Sequence, residues 1–472
     1  MRFPTLFKHS ARLFHQLWKS HQAPEKVTSS YLQQRRQLHQ KEKQIISELV
    51  YHALRMYQPA RYGVSHISPE IKPGKINKDN VLPDQLLVLC AATCIGIEEH
   101  LLAQDYTAEI TATLVEFFEI DSSGAAQWQH QIRDGWHRLK QESAAQLNAG
   151  TIDPQVIAAY TSVPAWILEI WAETYSWQWA IRVGEALWQS APLSMRVNRH
   201  KTSVERVLEQ LREAGITGHP GKLSPAAIIC EERVQLGGKP VLTRGEIEIQ
   251  DEASQLVGFV ASPQPRWRIL DACAGAGGKT LHLATLQHDQ GHIIASDTEY
   301  NRLKEIRFRA QRQGFQSIET VHITRPERGD SLPARLAHLA NKCDLVVVDA
   351  PCSSLGTSRR NPLIKYKLKP KTVPRLEKKQ FAILSRYAQA VKPGGVLVYS
   401  TCSLLPAENE QVVHQFLSEH PTFTLDPVPP VLESHHIYIP GLAPRATMVT
   451  LNPADHHTDG FFIARMRRHS HE

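Results

Sequence analysis

The chain has no long uncharged apolar run and no extreme of composition. None of its windows offers about eighteen uncharged apolar residues, so we expect no transmembrane helix. The 25 glycines and 29 prolines in 472 residues are close to ordinary usage, which excludes collagen-like and low-complexity architectures. With 42% hydrophobic and 21% charged residues, the chain can form buried cores, and its length predicts two or three domains.

Cysteine pairs of the disulfide or zinc type are also missing. The seven cysteines form no CxxC motif with a matching second pair or with spaced histidines, so we expect neither a disulfide scaffold nor a metal site. Cys90 and Cys94 lie one helical turn apart in an apolar run and indicate a helix core. The odd cysteine count and the lack of a secretion signal predict a reducing, cytoplasmic compartment.

Positive charge is concentrated in two blocks. Residues 1–60 hold 10 Lys and Arg against 3 acids, and residues 359–392 hold 11 against one, whereas the whole chain carries a formal charge of +7. The remainder is therefore acidic. Because phosphate neutralisation releases counterions, this pattern favours a polyanionic partner. Solvated lysine-rich helix faces explain the charge about equally well on charge alone.

The apolar spacing divides the chain into three predicted domains. Residues 1–187 show helical spacing without strand alternation and predict an all-α domain. Its first twenty residues form a basic amphipathic pattern, which we interpret as a helix that packs on its own domain rather than as a transit peptide. Residues 59–83 have the composition of a loop. Residues 190–245 predict a small α/β domain, with a strand at 193–197, a helix at 203–214 and short β material at 226–241.

From residue 246 to 472, short apolar runs alternate with helix-length stretches. The runs are 268–270, 293–295, 320–323, 345–348, 396–399 and 461–464. Such alternation predicts an α/β fold with a mostly parallel, doubly wound sheet and helices on both faces. Ligands in these folds bind outside the carboxyl ends of the strands.

A glycine-rich turn, DACAGAGGKT (271–280), follows the first of these strands. Its glycines let the backbone turn tightly and approach a ligand. A P-loop would need Gly where Cys273 stands, so a phosphate cradle is excluded. The second strand ends at Asp297, where an acid commonly binds ribose hydroxyls. Together, the glycine-rich turn and Asp297 indicate a cofactor that contains a nucleoside and does not require a pyrophosphate.

Two cysteines follow neighbouring strands of the predicted sheet. Cys352 stands in the segment DAPC, which begins at Asp349, and Cys402 stands in the segment STCS. A lone buried cysteine is usually a small hydrophobic residue. Two of them at the carboxyl ends of adjacent strands, beside an acid, are expected to project into one crevice and favour chemistry over packing.

These motifs are similar to those of the RsmB/Nop/NSun family of S-adenosylmethionine-dependent RNA cytosine-5 methyltransferases. The resemblance covers roughly residues 190–472, where the two cysteine segments, the cofactor turn, 250–254 and 459–462 match in order. It implies a Rossmann-like methyltransferase domain after a small, ferredoxin-like domain. Residues 1–187 resemble, more weakly, the NusB-like helical domain with which some bacterial members dock ribosomal RNA.

The resemblance assigns roles to the crevice residues. Carbon 5 of cytosine is a poor nucleophile, so a thiolate must first add to carbon 6. In the family the STC thiol is the nucleophile, which corresponds to Cys402, and the PC thiol, Cys352, assists product release; Asp349 binds the N3/N4 edge of the base. Lys279 either helps to place these groups and lowers a thiol pKa or faces solvent; both readings are open.

The implied cofactor is S-adenosyl-L-methionine, and the resemblance distributes its contacts over the strand ends. The expected cofactor-binding residues are Cys273, Ala274, Gly275, Ala276, Gly277, Gly278, Lys279, Asp297, Arg302, Asp330 and Asp349. Arg302 is expected to orient Asp297, and Asp330 to lie near the adenine. Ala276 stands where the family usually has Pro, and cofactor binding is expected to survive this change.

The second basic block begins seven residues after Cys352 and is expected to line the mouth of the crevice. Its phosphate contacts would offset the cost of unstacking the target base. The expected RNA-binding residues are Arg359, Arg360, Lys365, Lys367 and Lys369. Asn361 departs from the family pattern, which leaves the contacts made by this loop open.

The resulting hypothesis is an RNA cytosine-5 methyltransferase that acts on ribosomal RNA, as a monomer and away from membranes. One alternative keeps the chemistry and changes the substrate to transfer RNA. A DNA cytosine methyltransferase would use the PC thiol as nucleophile and is not expected to carry the STC segment. A catalytically silent RNA-binding assembly factor is a further alternative, against which the intact Cys352, Cys402 and Asp349 argue.

Overall fold

The computed structural model describes residues 3–67, 83–118, 120–231, 234, 236–324 and 331–470. The chain forms two compact units. One comprises Met1–Ser190 and Ser358–Lys367, and the other comprises Ala191–Thr357 and Leu368–Glu472. We call them the helical unit and the catalytic unit. The predicted three-domain division remains a prediction, since both of its later parts fall in the catalytic unit.

The helical unit contains eleven α-helices among its described residues. They are α1 (Phe3–Lys19), α2 (Pro24–Gln33), α3 (Gln40–Arg55), α4 (Tyr57–Val64), α5 (Pro83–Glu98), α6 (Thr107–Phe118), α7 (Ser122–Ala149), α8 (Pro154–Thr161), α9 (Ala165–Thr174), α10 (Trp177–Ala186) and, much later in the chain, α16 (Ile364–Lys367). The all-α prediction is confirmed for this part of the chain. Helix α1 buries Phe7, Leu13 and Leu17, and α5 buries Cys90 and Cys94 as predicted.

The predicted loop at 59–83 is wrong at its start, because α4 continues to Val64. Pro59 is the third residue of this helix. Proline is tolerated in a first turn, where the backbone N–H has no intrahelical partner. Residues 68–82 of the predicted loop lie outside the described residues.

The segment Ser358–Lys367, which we call the inserted segment, belongs to the helical unit although the chain on either side of it belongs to the catalytic unit. Nζ of Lys365 donates to the carbonyl of Arg55 at 3.2 Å, and the Arg55 guanidinium donates to the carbonyl of Arg359 at 2.9 and 3.1 Å. The hydroxyl of Tyr366 lies 2.6 Å from Oγ of Ser162. These contacts hold the segment against α3 and the end of α8, and the ring centroid of Tyr366 lies 5.5 Å from that of Tyr57 in α4.

The catalytic unit contains the remaining helices and all described strands. They are β1 (Leu193–Val197), α11 (Val204–Glu213), β2 (His219–Pro220), β3 (Ala227–Cys230), α12 (Pro240–Thr243), β4 (Ile247–Ile249), α13 (Glu252–Ala261), β5 (Arg268–Asp271), α14 (Gly278–Leu286), β6 (His292–Asp297), α15 (Tyr300–Gln313), β7 (Ile318–His322), β8 (Cys343–Asp349), α17 (Val373–Ala388), β9 (Val391–Thr401), α18 (Glu410–Glu419), β10 (Phe423–Leu425), α19 (Pro429–Glu433), β11 (Met448–Leu451), α20 (Pro453–His456) and β12 (Phe461–Arg468).

A small antiparallel sheet opens the catalytic unit, with strand order β2-β3-β1-β4. Helix α11 covers it with Val207 and Leu211, which pack on Met195, Val197 and Ile228. The predicted strand and helix at the start of this region are confirmed. The predicted β material at 226–241 is only partly right, because β3 ends at residue 230 and α12 occupies 240–243.

The large sheet has the order β10-β12-β9-β8-β5-β6-β7, and β11 pairs with β12. Strands β9, β8, β5, β6 and β7 are parallel, whereas β12 runs antiparallel to β9. All six predicted strands are present, and the doubly wound α/β prediction is confirmed.

Alternate residues of the central strands enter two different cores. In β8, Leu345 and Val347 pack in one core cluster, whereas Val346 and Val348 pack in the other. Period-two alternation sends successive side chains to opposite faces, so apolar residues at every position require cover on both faces. Helices α13 and α14 cover one face, and α17 and α18 cover the other. The carboxyl ends of β5, β6, β8 and β9 consequently share one edge.

Candidate active site

The structure brings the two predicted thiols together. Cys352 lies in the turn after β8 and Cys402 in the turn after β9. These strands pair in parallel, with Asp349 opposite Ser400. The two sulfur atoms are 3.4 Å apart, within the distance of an S–H···S hydrogen bond. One thiol can therefore donate its proton to the thiolate of the other.

The surroundings of the two sulfur atoms shift the pKa values of the two thiols in opposite directions. The hydrogen bond to Cys402, burial and the charges of Cys402 and Glu408 raise the pKa of Cys352 well above its ordinary value. The hydrogen bond from Cys352 lowers the pKa of Cys402, against burial and the Asp349 charge, with help from Lys279. The hydrogen bond between the two sulfur atoms, with a smaller contribution from the Glu408 charge, therefore favours the proton on Cys352 and the thiolate on Cys402.

Asp349 is held in an ion pair at the edge of the sheet. Its Oδ2 accepts from Nζ of Lys279 at 2.7 Å, and its Oδ1 accepts from Oγ of Ser400 at 2.9 Å. Nζ of Lys279 also lies 5.0 Å from the centroid of the Phe461 ring. Since the Lys279 side chain is 11% exposed and paired, its solvent-facing reading is wrong. Lys279 thus links the glycine-rich turn 271–280, which we call the cofactor turn, to the turns that carry Cys352 and Cys402, which we call the thiol turns.

The cofactor turn adopts backbone angles that favour glycine. Gly275 and Gly277 have φ values of 53° and 89°, in the left-handed region. A Cβ on Gly277 would lie 2.7 Å from Cγ1 of Ile306, which is too close for any side chain. Helix α14 begins at Gly278, and the first N–H groups of a helix have no intrahelical partner. Gly278 and Lys279, the first residues of this helix, also line the cavity.

Asp297 is oriented by the backbone rather than by Arg302. Its carboxylate accepts from the N–H groups of Gly275 and Glu299, both at 2.8 Å. Among the described residues, Arg302 makes no hydrogen bond or ion pair with Asp297, so that part of the prediction is wrong: the two N–H groups already orient the carboxylate, and Arg302 is exposed. Asp330 lies outside the described residues.

One cavity of about 970 Å³ contains the thiols, Asp349, Asp297 and the cofactor turn. Its lining includes Cys273, Ala274, Gly275, Ala276, Gly278, Lys279, Arg302, Lys379 and Arg386. None of the five predicted RNA-binding residues is part of that lining within the described chain. The basic side chains of the lining are those of Lys279, Arg302 and Arg309, together with Lys379 and Arg386 from α17. Helix α17 lies within the second basic block, but Lys379 and Arg386 were not among the five residues predicted from the sequence.

The RNA-binding prediction is wrong for two members of the basic block. Arg359 and Lys365 are 5% and 1% exposed, inside the helical unit. Nζ of Lys365 is bound to a backbone carbonyl, and a guanidinium N–H of Arg359 donates to the carbonyl of Ser190 at 3.0 Å. Buried cations of this kind cannot reach a phosphate. For Arg360, Lys367 and Lys369 the prediction stands untested, although Nζ of Lys367 donates to the carbonyl of Leu17 at 3.1 Å.

Asp271 offers a test of whether the cavity fits the expected cofactor. It is buried, its Oδ2 accepts from Thr280 at 2.6 Å, and its Oδ1 has no partner among the described residues. Burial raises the pKa of Asp271 to about 6, so the carboxylate is mostly ionised at neutral pH. An unpaired buried acceptor suits a ligand that carries positive charge, as S-adenosylmethionine does, and Asp297 retains lone pairs for ribose hydroxyls.

The small sheet contributes a second group of residues that the sequence did not reveal. Arg196, 1% exposed on β1, donates to the carbonyl of Gly278 at 2.6 Å, and Arg309 on α15 donates to the carbonyl of Ala276. Glu248 on β4 accepts from Arg309 and, at 2.6 Å, from Arg312. The only sequence signal was an arginine inside an apolar strand. Cations thus hold the carbonyl side of the cofactor turn.

The fold and the cavity define an S-adenosylmethionine-dependent methyltransferase. A family model described as 16S rRNA methyltransferase RsmB/F matches residues 259–467, and a second, the ferredoxin-like domain of RsmF/B-like methyltransferases, matches residues 163–236. A protein of Synechocystis called probable ribosomal RNA small subunit methyltransferase B is 34% identical over 321 residues, which cover 65% of this chain and 67% of that protein. The chain belongs to the RsmB/F methyltransferase family.

Two solved structures from Pyrococcus horikoshii are similar to this chain. A methyltransferase homolog protein is 27% identical, with a TM-score of 0.55, over 66% of this chain and 97% of its own. NSun6 with SFG is 20% identical, with a TM-score of 0.55, over 64% of this chain and 97% of its own. The latter likeness shows the fold alone. In the described residues, no helix has the length and apolarity needed to cross a membrane.

Proposed function

We propose that this chain transfers a methyl group to carbon 5 of a cytosine in RNA, with ribosomal RNA of the small subunit as the substrate. The observation that carries the proposal is the pair of sulfur atoms, 3.4 Å apart, beside the Asp349–Lys279 ion pair. A methyl transfer to a more nucleophilic atom would need no protein thiol. The relative's name supports ribosomal RNA over transfer RNA, and the proposal places the enzyme in the cytoplasm.

The cofactor supplies an electrophilic methyl group when it is bound. In our proposal the backbone from Cys273 to Lys279 and the carboxylate of Asp297 hold it, and the unpaired Oδ1 of Asp271 receives positive charge. The left-handed glycines let the turn approach this ligand closely. Asp330 remains a proposed adenine-side acid.

Cys402 is the proposed nucleophile. Its thiolate, favoured by the hydrogen bond from Cys352, adds to carbon 6 of the ring, and the electron pair displaced from the ring double bond makes carbon 5 nucleophilic. Asp349 then receives the N4 amino group and Lys279 neutralises charge at the base edge. Both groups are already in place and paired, so little reorganisation is required.

Cys352 is the proposed residue for product release. After methylation, the carbon 5 proton must leave and the bond between Cys402 and carbon 6 must break. The Cys352 sulfur lies beside the leaving sulfur. Once Cys402 is bonded to carbon 6 it no longer accepts the Cys352 hydrogen bond, so Cys352 can release its proton to solvent and, as a thiolate, take up the carbon 5 proton. Without it, the covalent adduct should persist.

RNA contacts are proposed for two surfaces. Lys379 and Arg386 line the cavity, and Arg360, Lys367 and Lys369 remain proposed phosphate contacts from the second basic block. The helical unit, with its basic first sixty residues, is the proposed RNA-docking part by its resemblance to NusB-like domains. Phosphate contacts would supply the energy needed to unstack the target base.

The division of labour between the thiols can be tested with two variants. Cys402→Ala should abolish methyl transfer without forming an adduct, and Cys352→Ala should accumulate a covalent protein–RNA complex. Denaturing gels after incubation with small-subunit RNA and cofactor separate the two results. An adduct from Cys402→Ala instead would overturn the assignment of the nucleophile.

The substrate can be identified in cells. Bisulfite sequencing of RNA from cells with and without the protein should show the loss of one or more 5-methylcytosines in small-subunit ribosomal RNA. Loss confined to transfer RNA would redirect the proposal to the alternative substrate. No loss in either RNA, with a folded and expressed protein, would favour the silent assembly factor.

A further inference from the structure

Glu408 is a fully buried acid that the mechanism above does not use. It lies between β9 and α18, and its side chain is 0% exposed. Among the described residues it has no Lys, Arg or His partner; all of its partners are neutral donors. A buried charge costs several kcal/mol unless it is fully hydrogen-bonded. We therefore expect a buried acid of this kind to have a structural or functional role.

The carboxylate of Glu408 joins the two thiol turns. Its Oε1 accepts from the backbone N–H of Ser353 at 2.7 Å, and its Oε2 accepts from the hydroxyls of Ser353 and Ser403. Each serine immediately follows one of the two thiols in the sequence. One side chain therefore holds the residues next to Cys352 and Cys402 at a common point.

Further hydrogen bonds fix Glu408 itself and close the network. Nε2 of Gln380 donates to Oε1 at 2.9 Å and also to the carbonyl of Pro351 at 3.1 Å. The hydroxyl of Tyr399 donates to the backbone carbonyl of Glu408 at 2.6 Å. The four donors leave the carboxylate with no unfilled position facing solvent, so its place relative to the thiols is set by the fold.

The charge of Glu408 is one of the causes that raise the pKa of Cys352, after the hydrogen bond that Cys352 donates to Cys402, burial and the charge of Cys402. Glu408 is attached more extensively to the turn of Cys352, because its carboxylate accepts from both the N–H and the hydroxyl of Ser353 but only from the hydroxyl of Ser403. At Cys402 the charges of Asp349 and Lys279 shift the pKa in opposite directions. A negative charge fixed at the Cys352 turn therefore favours the proton on Cys352.

We propose that Glu408 is a positioning residue that ties the two thiol turns together and keeps the shared proton on Cys352, so that Cys402 is the thiolate. This inference rests on the proposed roles of the two cysteines and adds the residue that assigns those roles. No bond to substrate or cofactor is involved. The proton stays between the two sulfur atoms until Cys402 attacks.

The test measures thiol reactivity in the full-length protein without RNA or cofactor. Iodoacetamide alkylation of Cys402 and Cys352 is followed by mass spectrometry over a range of pH, and the ratio of the two rates is the readout. In the wild type Cys402 should react much faster at neutral pH. In Glu408→Gln the ratio should fall by about tenfold, the equivalent of one pKa unit. An unchanged ratio in a folded Glu408→Gln protein would overturn the proposal.

Glu419→Gln is the control. It makes the same change on the exposed side of α18, where the carboxylate accepts from Gln415 at 3.0 Å. Its alkylation ratio should equal that of the wild type. Glu408→Asp keeps the charge and should retain more of the ratio than Glu408→Gln, a difference that a purely structural role would not produce.

A second variant serves if Glu408→Gln does not fold, as judged by its thermal transition. Ser353→Ala removes the hydroxyl that binds Glu408 and lies 3.1 Å from Oγ of Ser403. The ratio must then fall, because looser turns weaken the hydrogen bond between the sulfur atoms; a folded variant with the wild-type ratio contradicts the proposal. Failure of the proposed function would appear separately, as methyl transfer that survives in Cys402→Ala.

Discussion

The cofactor turn and the thiol turns are held in place by opposite chemistry. Arg196 and Arg309 donate to backbone carbonyls of the cofactor turn, whereas Glu408 accepts from N–H and O–H groups of the thiol turns. A turn that binds its ligand through backbone N–H groups must be held by its carbonyls, so that the donors stay available. A turn that presents side chains has no such need, and its donors can be used to fix it.

The two regions also differ in where their supports come from. The cations that hold the cofactor turn stand on the small sheet and on α15, far away in the sequence. The acid that holds the thiol turns follows Cys402 by only six residues. The small sheet therefore supplies a hydrogen-bond donor to the backbone of the cofactor turn.

The largest effect is expected at Lys279, which contacts both regions. Lys279→Met leaves Asp349 without its cation and removes positive charge near Cys402, so the pKa of Cys402 rises. Methyl transfer at neutral pH should fall on the order of 100-fold, and the pH–rate profile should shift to higher pH. Single-turnover rates across pH measure both. The exposed Lys304→Met should leave them unchanged, and an unshifted profile in Lys279→Met would contradict the link.

A smaller effect is expected at the cofactor turn alone. Asp297→Asn removes the charge from the carboxyl group that Gly275 and Glu299 orient. Binding of S-adenosylhomocysteine, measured by calorimetry, should weaken about tenfold, since charge-assisted hydrogen bonds are roughly twice as strong as neutral ones. The alkylation ratio of the thiols should not change. Glu319→Gln, in a surface pair with His292, is the control.

The support from the small sheet should contribute less than the ligand contacts do. Arg196→Met removes the donor to the Gly278 carbonyl at the start of α14. Cofactor binding should weaken about three- to tenfold, because the buried hydrogen bonds of Arg196 to the Gly278 carbonyl and to Gln250 are lost while the turn's own backbone bonds remain. Arg206→Met, exposed on α11, is the comparison. Equal affinities for the two variants would remove the small sheet from the cofactor site.

The smallest effect concerns the inserted segment, which leaves the catalytic unit six residues after Cys352. Burial lowers the pKa of Lys365 to about 7, so the unfolded chain binds the proton more tightly and stability should rise from about pH 7 to about pH 10. Lys365→Met should lose this rise. Between pH 7 and about pH 10, the Tm of the wild type should therefore increase by a few degrees relative to the Tm of Lys365→Met. Lys369→Met should keep it, and neither should alter the alkylation ratio.

Much of the catalytic unit was predictable because its strands and turns are determined by residues that lie close together in the sequence. The six strands follow from short apolar runs, and parallel pairing places their carboxyl ends together, so Asp349, Cys352 and Cys402 were expected to meet. Glu408 was not predictable in the same way. In the sequence it is one acid before a helix, and only the folded chain shows two serines from different turns donating to it.

The basic block shows the limit of reasoning from charge. Arg359, Lys365 and Lys379 look alike as members of one positive segment. The structure divides them, because 358–367 packs in the helical unit and α17 lies beside the cavity. Charge is a property of the residue, whereas access to a phosphate depends on what surrounds it.

The sequence by itself determined the sheet, the cofactor turn and the two cysteines, because periodicity, glycine backbone freedom and strand order act over a few residues at a time. Only the tertiary structure decided that Glu408 joins the two thiol turns, what holds the cofactor turn, and which basic residues are buried. Those properties depend on distances between atoms that are remote in the chain, such as Arg196 and Gly278 or Arg55 and Lys365. Electrostatic shifts and buried hydrogen bonds exist only once those distances are set.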